Sequence, residues 1–430
     1  MSKFISDFLA VFKSKAFNII LALLTGIIYA RVLGPEGSGI LAGVIIYPTL
    51  FVSFATLGLR QAAVYYVGKE IKPVDTVFST IITVWLFTSG FAVVSCIYLL
   101  QYLAGNEYSP LMIGLAVAAI PFEIFKDYSS GILLGKNNIK KFATITWLPS
   151  LFRLTGALLF VWWLGWGVAG ALIAPLLAMM LMAGLMFYFL KPYLSFTFSF
   201  DWELSKSMLQ MGIVFAIALF VINLNYKVDQ ILLERLSSAY ELGIYEKGVT
   251  LVEKVWQIPM LLGTIIFAGS ANAKDSKVYS LKVAKLLRVS LLVTAAVLLV
   301  VALAAPLIVT GFYGRDFLPS GRVIQFLALG ILFMVCFKVL NMDLAGRGKP
   351  WLSLQAMGPA VLVNIVLNYL LIPEYGAMGV ALASAISYTL AAFLFVGIYS
   401  RNTGLTLKNI FAFQRSDFEV LEQKIRKKIR

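Results

Sequence analysis

The sequence predicts an all-α integral membrane protein of about 12 transmembrane helices, folded as two six-helix lobes related by a parallel pseudo-twofold repeat. Three observations carry that expectation. Of the 430 residues, 60% are hydrophobic and only 13% are charged, roughly half the charged share of a soluble globular domain. Long apolar runs follow one another along the whole chain, joined by short connections; each approaches the ~20 residues that cross a bilayer. The second six runs also repeat landmarks of the first six. A water-soluble enzyme is excluded, and no stretch is long enough for a large extramembrane domain.

In order, the runs occupy residues 8–30, 39–67, 77–103, 111–134, 142–164 and 168–190, then 208–233, 240–268, 287–310, 323–344, 352–372 and 378–399. Lys13 and Lys15 place the first turns of the opening run in the interface. No small-x-small cleavage site follows before Arg31, so the run reads as a span and not a cleaved leader. The eighth run carries five charges and scores poorly by hydropathy alone. Pro48, Pro121, Pro149, Pro175, Pro259, Pro306 and Pro359 lie within spans and predict kinks. Trp162, Trp163, Trp166, Trp202 and Trp351 fall at span ends, as an interfacial belt.

Histidine is absent, which removes imidazole metal sites and histidine proton relays. Cys96 and Cys336 each sit inside an apolar run and read as packing residues. There is no Walker A, DxD or HExxH pattern. No catalytic residue, metal or cofactor is expected.

The basic residues set the orientation. Of 36 Lys and Arg, 25 fall in the connections on the N-terminal side or in the tail, while Arg31, Arg235, Arg315 and Arg322 fall opposite. The positive-inside rule then puts both termini in the cytoplasm, in a cytoplasmic (inner or plasma) membrane. The net charge of +15 is thus largely topological, and no nucleic-acid partner is expected. Phe418, Leu421, Ile425 and Ile429 recur at helical spacing among basic residues, which predicts an amphipathic helix on the anionic inner leaflet or, alternatively, a solvated helix.

The repeat rests on two matches. Arg31-Val-Leu-Gly-Pro-Glu-Gly-Ser-Gly39 follows the first span, and Arg235-Leu-Ser-Ser-Ala-Tyr-Glu-Leu-Gly243 follows the seventh, offset by 204 residues. Trp166-Gly-Val-Ala-Gly-Ala171 opens the sixth span and Tyr375-Gly-Ala-Met-Gly-Val380 the twelfth, offset by 209. Six spans return the chain to the same side, so the repeat is parallel and a substrate site is expected between the halves near the midplane. The expected divisions are lobes at 1–200 and 201–402 and a basic tail at 403–430.

Seven basic and seven acidic residues fall within or at the ends of spans, where each charge costs about 2.5–3.5 kcal/mol on insertion scales. At 100° per residue, Glu246, Lys247, Thr250, Glu253, Lys254 and Gln257 share one arc of the eighth span. Asn223, Lys227, Gln230 and Glu234 share a face of the seventh span. Thr49, Ser53, Thr56 and Arg60 do so on the second, and Thr146, Ser150 and Arg153 on the fifth. Such stripes fit the wall of an aqueous chamber, or else ion pairs that lock helices together. Glu123, Lys126 and Asp127 share a face of the fourth span and fit the ion-pair reading; Arg60, Arg153, Lys227 and Lys338 have no carboxylate three or four residues away.

The run Tyr29-Ala-Arg-Val-Leu-Gly-Pro-Glu-Gly-Ser-Gly39 resembles the polysaccharide transporter family, which includes flippases for lipid-linked O-antigen units, within the multidrug/oligosaccharidyl-lipid/polysaccharide exporter superfamily. Val228-Asp-Gln-Ile-Leu-Leu and Glu241-Leu-Gly-Ile-Tyr245 resemble its seventh and eighth spans. The resemblance implies two lobes in a V, with spans one, two, seven and eight walling a central cavity. It implies alternating-access translocation of an isoprenoid-diphosphate-linked oligosaccharide of undecaprenyl type. The expected partners are that glycolipid, membrane lipids, and the glycan polymerase or ligase machinery that acts after it. The candidate anion and glycan contacts are Arg60, Arg153, Lys227, Lys254 and Lys338; the candidate counter-ions or ion-coupling residues are Glu123, Asp127, Asp229 and Glu253. The lipid II flippase branch resembles this layout with two extra helices. The first span lacks the aspartate that cation-coupled drug exporters carry there. Such a drug exporter, or a membrane-embedded glycan polymerase or ligase, remains the alternative.

Overall fold

The computed structural model describes residues 3–102, 104, 108–195, 199–273 and 275–413. Among them every regular element is helical. The chain runs α1 (Lys3–Ala55), α2 (Leu59–Gly68), α3 (Val74–Tyr102), α4 (Pro110–Ala118), α5 (Ile120–Gly135) and α6 (Ile139–Gly156). A π-helical turn, Ala157–Trp163, continues α6 before α7 (Gly167–Leu190). Then come α8 (Trp202–Leu236), α9 (Ala239–Glu253), a 3₁₀ turn at Lys254–Trp256, α10 (Gln257–Ala271), α11 (Ser276–Tyr313), α12 (Ser320–Gly346), α13 (Leu352–Thr403) and α14 (Leu407–Phe411). The predicted helix at 418–429 lies outside the described residues.

The predicted spans map onto these helices with breaks and fusions that hydropathy does not register. Spans one and two run together in α1, and spans eleven and twelve in α13. Each fused helix turns at one glycine, Gly34 (φ 67°, ψ −176°) or Gly376 (φ 51°, ψ −127°), where a Cβ would be strained. The fourth span is split into α4 and α5, and the eighth into α9, the 3₁₀ turn and α10. By length and composition, 7 described helices qualify as membrane-crossing; two of these hold two spans each, and the seventh span (α8) and the split fourth and eighth spans are not among them. The chain is a multi-pass membrane protein.

Two compact units emerge from the contacts, residues 1–246 with 310–317, and residues 247–309 with 318–430. In the first, α2, α3, α5 and α7 pack around Leu59, Ala63, Ile81, Cys96, Ile124, Tyr128 and Met182. In the second, α12 and α13 supply a core that includes Met334, Phe337, Met357 and Phe395, the two rings meeting edge to face at 4.8 Å. Cys96 and Cys336 are both buried and unlinked. Outside the spans, Asp201 caps α8 through the Leu204 amide and receives the Lys72 ammonium at 2.6 Å. Those two donors hold its carboxyl below the usual range. Trp162, Trp163, Trp166, Trp202 and Trp351 are all exposed at helix ends, where an interfacial belt would place them.

Candidate functional site

The site grows out of two interrupted helices in the first unit. The second span breaks after Ala55, where Leu57 (φ 44°) and Gly58 (φ 65°) both turn left-handed, and α2 restarts with Arg60 in its first turn. A leucine in that region is strained, a condition that collects at functional sites. Backbone groups released at mid-membrane need new partners, and the Tyr128 hydroxyl donates to the Ala55 carbonyl at 2.7 Å. The fourth span is interrupted at Ala119, so α5 begins just before Glu123. Trp85 Nε1 holds the nearby Pro121 carbonyl at 2.7 Å.

Small residues then bring α2 and α5 together. A methyl added to Gly131 would lie 2.5 Å from the Arg60 carbonyl and 2.9 Å from Ala63 Cβ. Asp127 is one turn back along α5, which brings its Oδ1 to 3.5 Å from Arg60 Nη1. Beside this pair Lys126 lies 3.9 Å from Glu123, and the Arg60 guanidinium stands 5.6 Å over the Phe142 ring. These four charged residues line a cavity of about 250 Å³ together with Ser53, Thr56 and Gln61 and with Asn223 of α8. Asn223 Nδ2 donates to Ser53 Oγ at 2.6 Å. The Arg60 side chain is 37% exposed and that of Asp127 28%. The cations are thus paired but still open to the chamber, and an entering anion can compete with the carboxylates for them.

The other sequence candidates do not join this cluster. Arg153 Nη2 donates to Ser150 Oγ at 2.7 Å, and Ser150 Oγ in turn donates to Asn18 Oδ1 of α1. No carboxylate lies within ion-pair distance of Arg153 among the described residues. Lys227 Nζ donates to Gln230 Oε1 at 3.0 Å. Asp229 is buried, accepting from the Tyr245 hydroxyl and the Gln230 amide. In the second unit, Lys338 Nζ stands 4.1 Å over the Trp256 ring and feels the charge of Glu253. Lys254 opens the 3₁₀ turn, which interrupts the helical arc expected from Glu246 to Gln257. A 3₁₀ turn advances 120° per residue, so the two ends of that stripe no longer keep the expected phase. Among the described residues no His, Cys, Asp and Glu cluster could hold a metal ion.

Two in-membrane acids have partners that sequence reasoning did not find. Asp343 accepts from Ser270 Oγ (2.6 Å), Ser280 Oγ (2.9 Å), the Tyr399 hydroxyl (2.6 Å) and Arg347 Nε and Nη2 (2.9 Å each). Only the Asp343–Arg347 spacing of four residues signalled any of this. Glu234, one of the seventh-span stripe, is buried against the Tyr47 and Tyr108 hydroxyls, and no local spacing reveals that contact.

A family described as polysaccharide biosynthesis protein matches residues 5–268, more than half of the chain. The chain belongs to that family. Members need not be near in sequence. A putative O-antigen transporter of Shigella flexneri is 22% identical over 392 residues, covering 86% of this chain and 92% of the relative. A lipid II flippase, MurJ in an inward closed conformation, superimposes with a TM-score of 0.77 at 16% identity, covering 96% of this chain and 95% of that one. An inward-facing multidrug resistance transporter of the MATE family gives 0.74 at 18% identity, covering 90% and 94%. At such identities the two structures establish a shared transporter fold and not a shared cargo.

Proposed function

We propose that the protein is a flippase that moves an isoprenoid-diphosphate-linked oligosaccharide repeat unit from the cytoplasmic to the outer leaflet, by alternating access between lobes 1–200 and 201–402. The observation that carries this is the charged cavity of the first unit, where Arg60 and Lys126, both within predicted spans, lie against Asp127 and Glu123. A diphosphate is a concentrated anion that hydrocarbon excludes. In the cavity it would take over the Arg60 fork and the Lys126 ammonium, and the released carboxylates would turn to water or to a coupled cation. Arg153, Lys227, Lys254 and Lys338 are the further cationic contacts along the route, with Asp229 and Glu253 as their counter-charges. An inside-negative potential, worth about 2.3 kcal/mol per charge per 100 mV, favours outward movement of such an anion.

Family membership and the putative O-antigen transporter support this choice over the drug-exporter reading. The test is depletion of the protein followed by extraction of isoprenoid-linked lipids. The expected result is a single oligosaccharide species that accumulates in the cytoplasmic leaflet and disappears on re-expression. Unchanged glycolipid together with new drug sensitivity would assign the protein to drug export.

A further inference from the structure

The two matched glycines of the sequence repeat touch each other. A methyl on Gly39 would fall inside the Ala239 carbonyl and lie 3.0 Å from the Gly243 amide nitrogen; a methyl on Gly243 would fall inside the Pro35 carbonyl and lie 3.0 Å from the Gly39 amide nitrogen. Positions 35 and 239, like 39 and 243, are 204 residues apart, the offset of the repeat. Reciprocal contact of this kind, i with j and j with i, is what a twofold axis produces. The seam is therefore a crossing of the first and second repeats at their pseudo-symmetry axis.

Two polar contacts flank the crossing. Arg31, exposed at the end of the first span, donates from Nε to the Phe312 carbonyl at 2.8 Å and from Nη2 to the Gly311 carbonyl at 2.5 Å. Both carbonyls belong to the last turn of α11, the negative end of its dipole. One turn beyond Gly39, Gly43 faces Glu234; a methyl there would lie 3.1 Å from Glu234 Cγ. Glu234 accepts from the Tyr108 hydroxyl at 2.8 Å and the Tyr47 hydroxyl at 3.2 Å. Each of these contacts joins a residue of the first half to one of the second, on the side away from the basic connections.

We infer that this seam is the outer gate: the reciprocal glycine crossing, latched by Arg31 and by the Tyr47–Glu234–Tyr108 clasp, must part to release cargo outward. The inference rests on the alternating-access reading above. Its parts suit a gate. Gly39 and Gly43 on one side and Gly243 on the other let backbones close tightly without interlocked side chains, so little apolar surface is re-exposed on opening. The latches are hydrogen bonds whose groups water can satisfy once they separate.

The test needs no cargo. Cys96 and Cys336 are replaced by serine, Val52→Cys supplies one reporter on the cavity wall, and intact cells are labelled from outside with an impermeant maleimide. The unaltered gate should leave this reporter nearly unreactive. Gly39→Ala and Gly243→Ala relieve their clash only by opening, and each should raise the labelling rate at least tenfold, to matching extents. The double variant Arg31→Ala, Glu234→Gln adds no bulk and should raise it as well. Rapid labelling behind the unaltered gate would overturn the inference. So would labelling of the double variant at the unaltered rate with normal amounts of folded protein, whether or not the glycine variants survive. Faster labelling in cells whose glycolipids never change would leave the gate standing and sink the flippase reading.

Discussion

Asp343 and Arg60 are both membrane-level charges with an arginine–aspartate contact, and they predict opposite mutant phenotypes. Asp343 has a side chain with no exposure and receives five hydrogen bonds from Ser270, Ser280, Tyr399 and Arg347. Asp343→Ala strands Arg347 and three hydroxyls, at a cost of about 3–5 kcal/mol, and should remove most folded protein from the membrane as read by size-exclusion profiles in detergent. Arg60 meets one carboxylate at 3.5 Å with its side chain 37% exposed, a pair worth at most about 1 kcal/mol to stability. Arg60→Ala should therefore keep normal protein levels and reduce glycan export at least tenfold. Arg60→Lys should be intermediate, because an ammonium replaces the planar fork. Adding Asp127→Asn to Arg60→Ala should not restore export. Recovery of export in that double variant would make Arg60 a structural counter-ion.

At the level of helices, a glycine has opposite value at a kink and within a regular turn. Gly34 sits at φ 67° and ψ −176°, a region almost closed to other residues, while Gly26 is eight residues earlier in the same helix; a Cβ at either meets nothing within 4 Å. Any change on substitution is then a backbone effect. Gly34→Ala should cost about 1–3 kcal/mol, and Gly26→Ala should stabilise by about 0.5–1 kcal/mol. Thermal unfolding in detergent reads both, and a like sign for the two would refute the kink as the only turn of that helix. The spans themselves were legible, because apolar length is a property of composition. The joins were not. Whether α1 stops or turns at Gly34 depends on a few dihedrals, and the parting of α4 from α5 on the amide that Pro121 lacks; neither changes mean hydropathy. The site was legible to the same degree. That Arg60 lacked a partner on its own helix followed from spacing, whereas Asp127 became its partner only through the close packing of Ala63 and Gly131.

For the whole molecule, the repeat reads further than any single motif, since Arg31…Gly39 and Arg235…Gly243 prove to be both similar in sequence and in contact in space. What the fold leaves unread is cargo: a lipid II flippase and a multidrug transporter superimpose almost equally well, because loops, cavity charges and substrate can change while twelve packed spans persist. Orientation has a separate determinant, the 25 basic residues on one side against four on the other. Lys and Arg in short connections resist transfer across the membrane, so that asymmetry predicts both termini and Asn137 inside and Glu374 outside. Both reporter positions are exposed, Asn137 between α5 and α6 and Glu374 beside the turn at Gly376. In a variant free of Cys96 and Cys336, Glu374→Cys should react with an impermeant maleimide on intact cells, while Asn137→Cys should react only after permeabilisation. Labelling of Asn137→Cys in intact cells would reverse the orientation, and with it the direction in which cargo leaves the cavity.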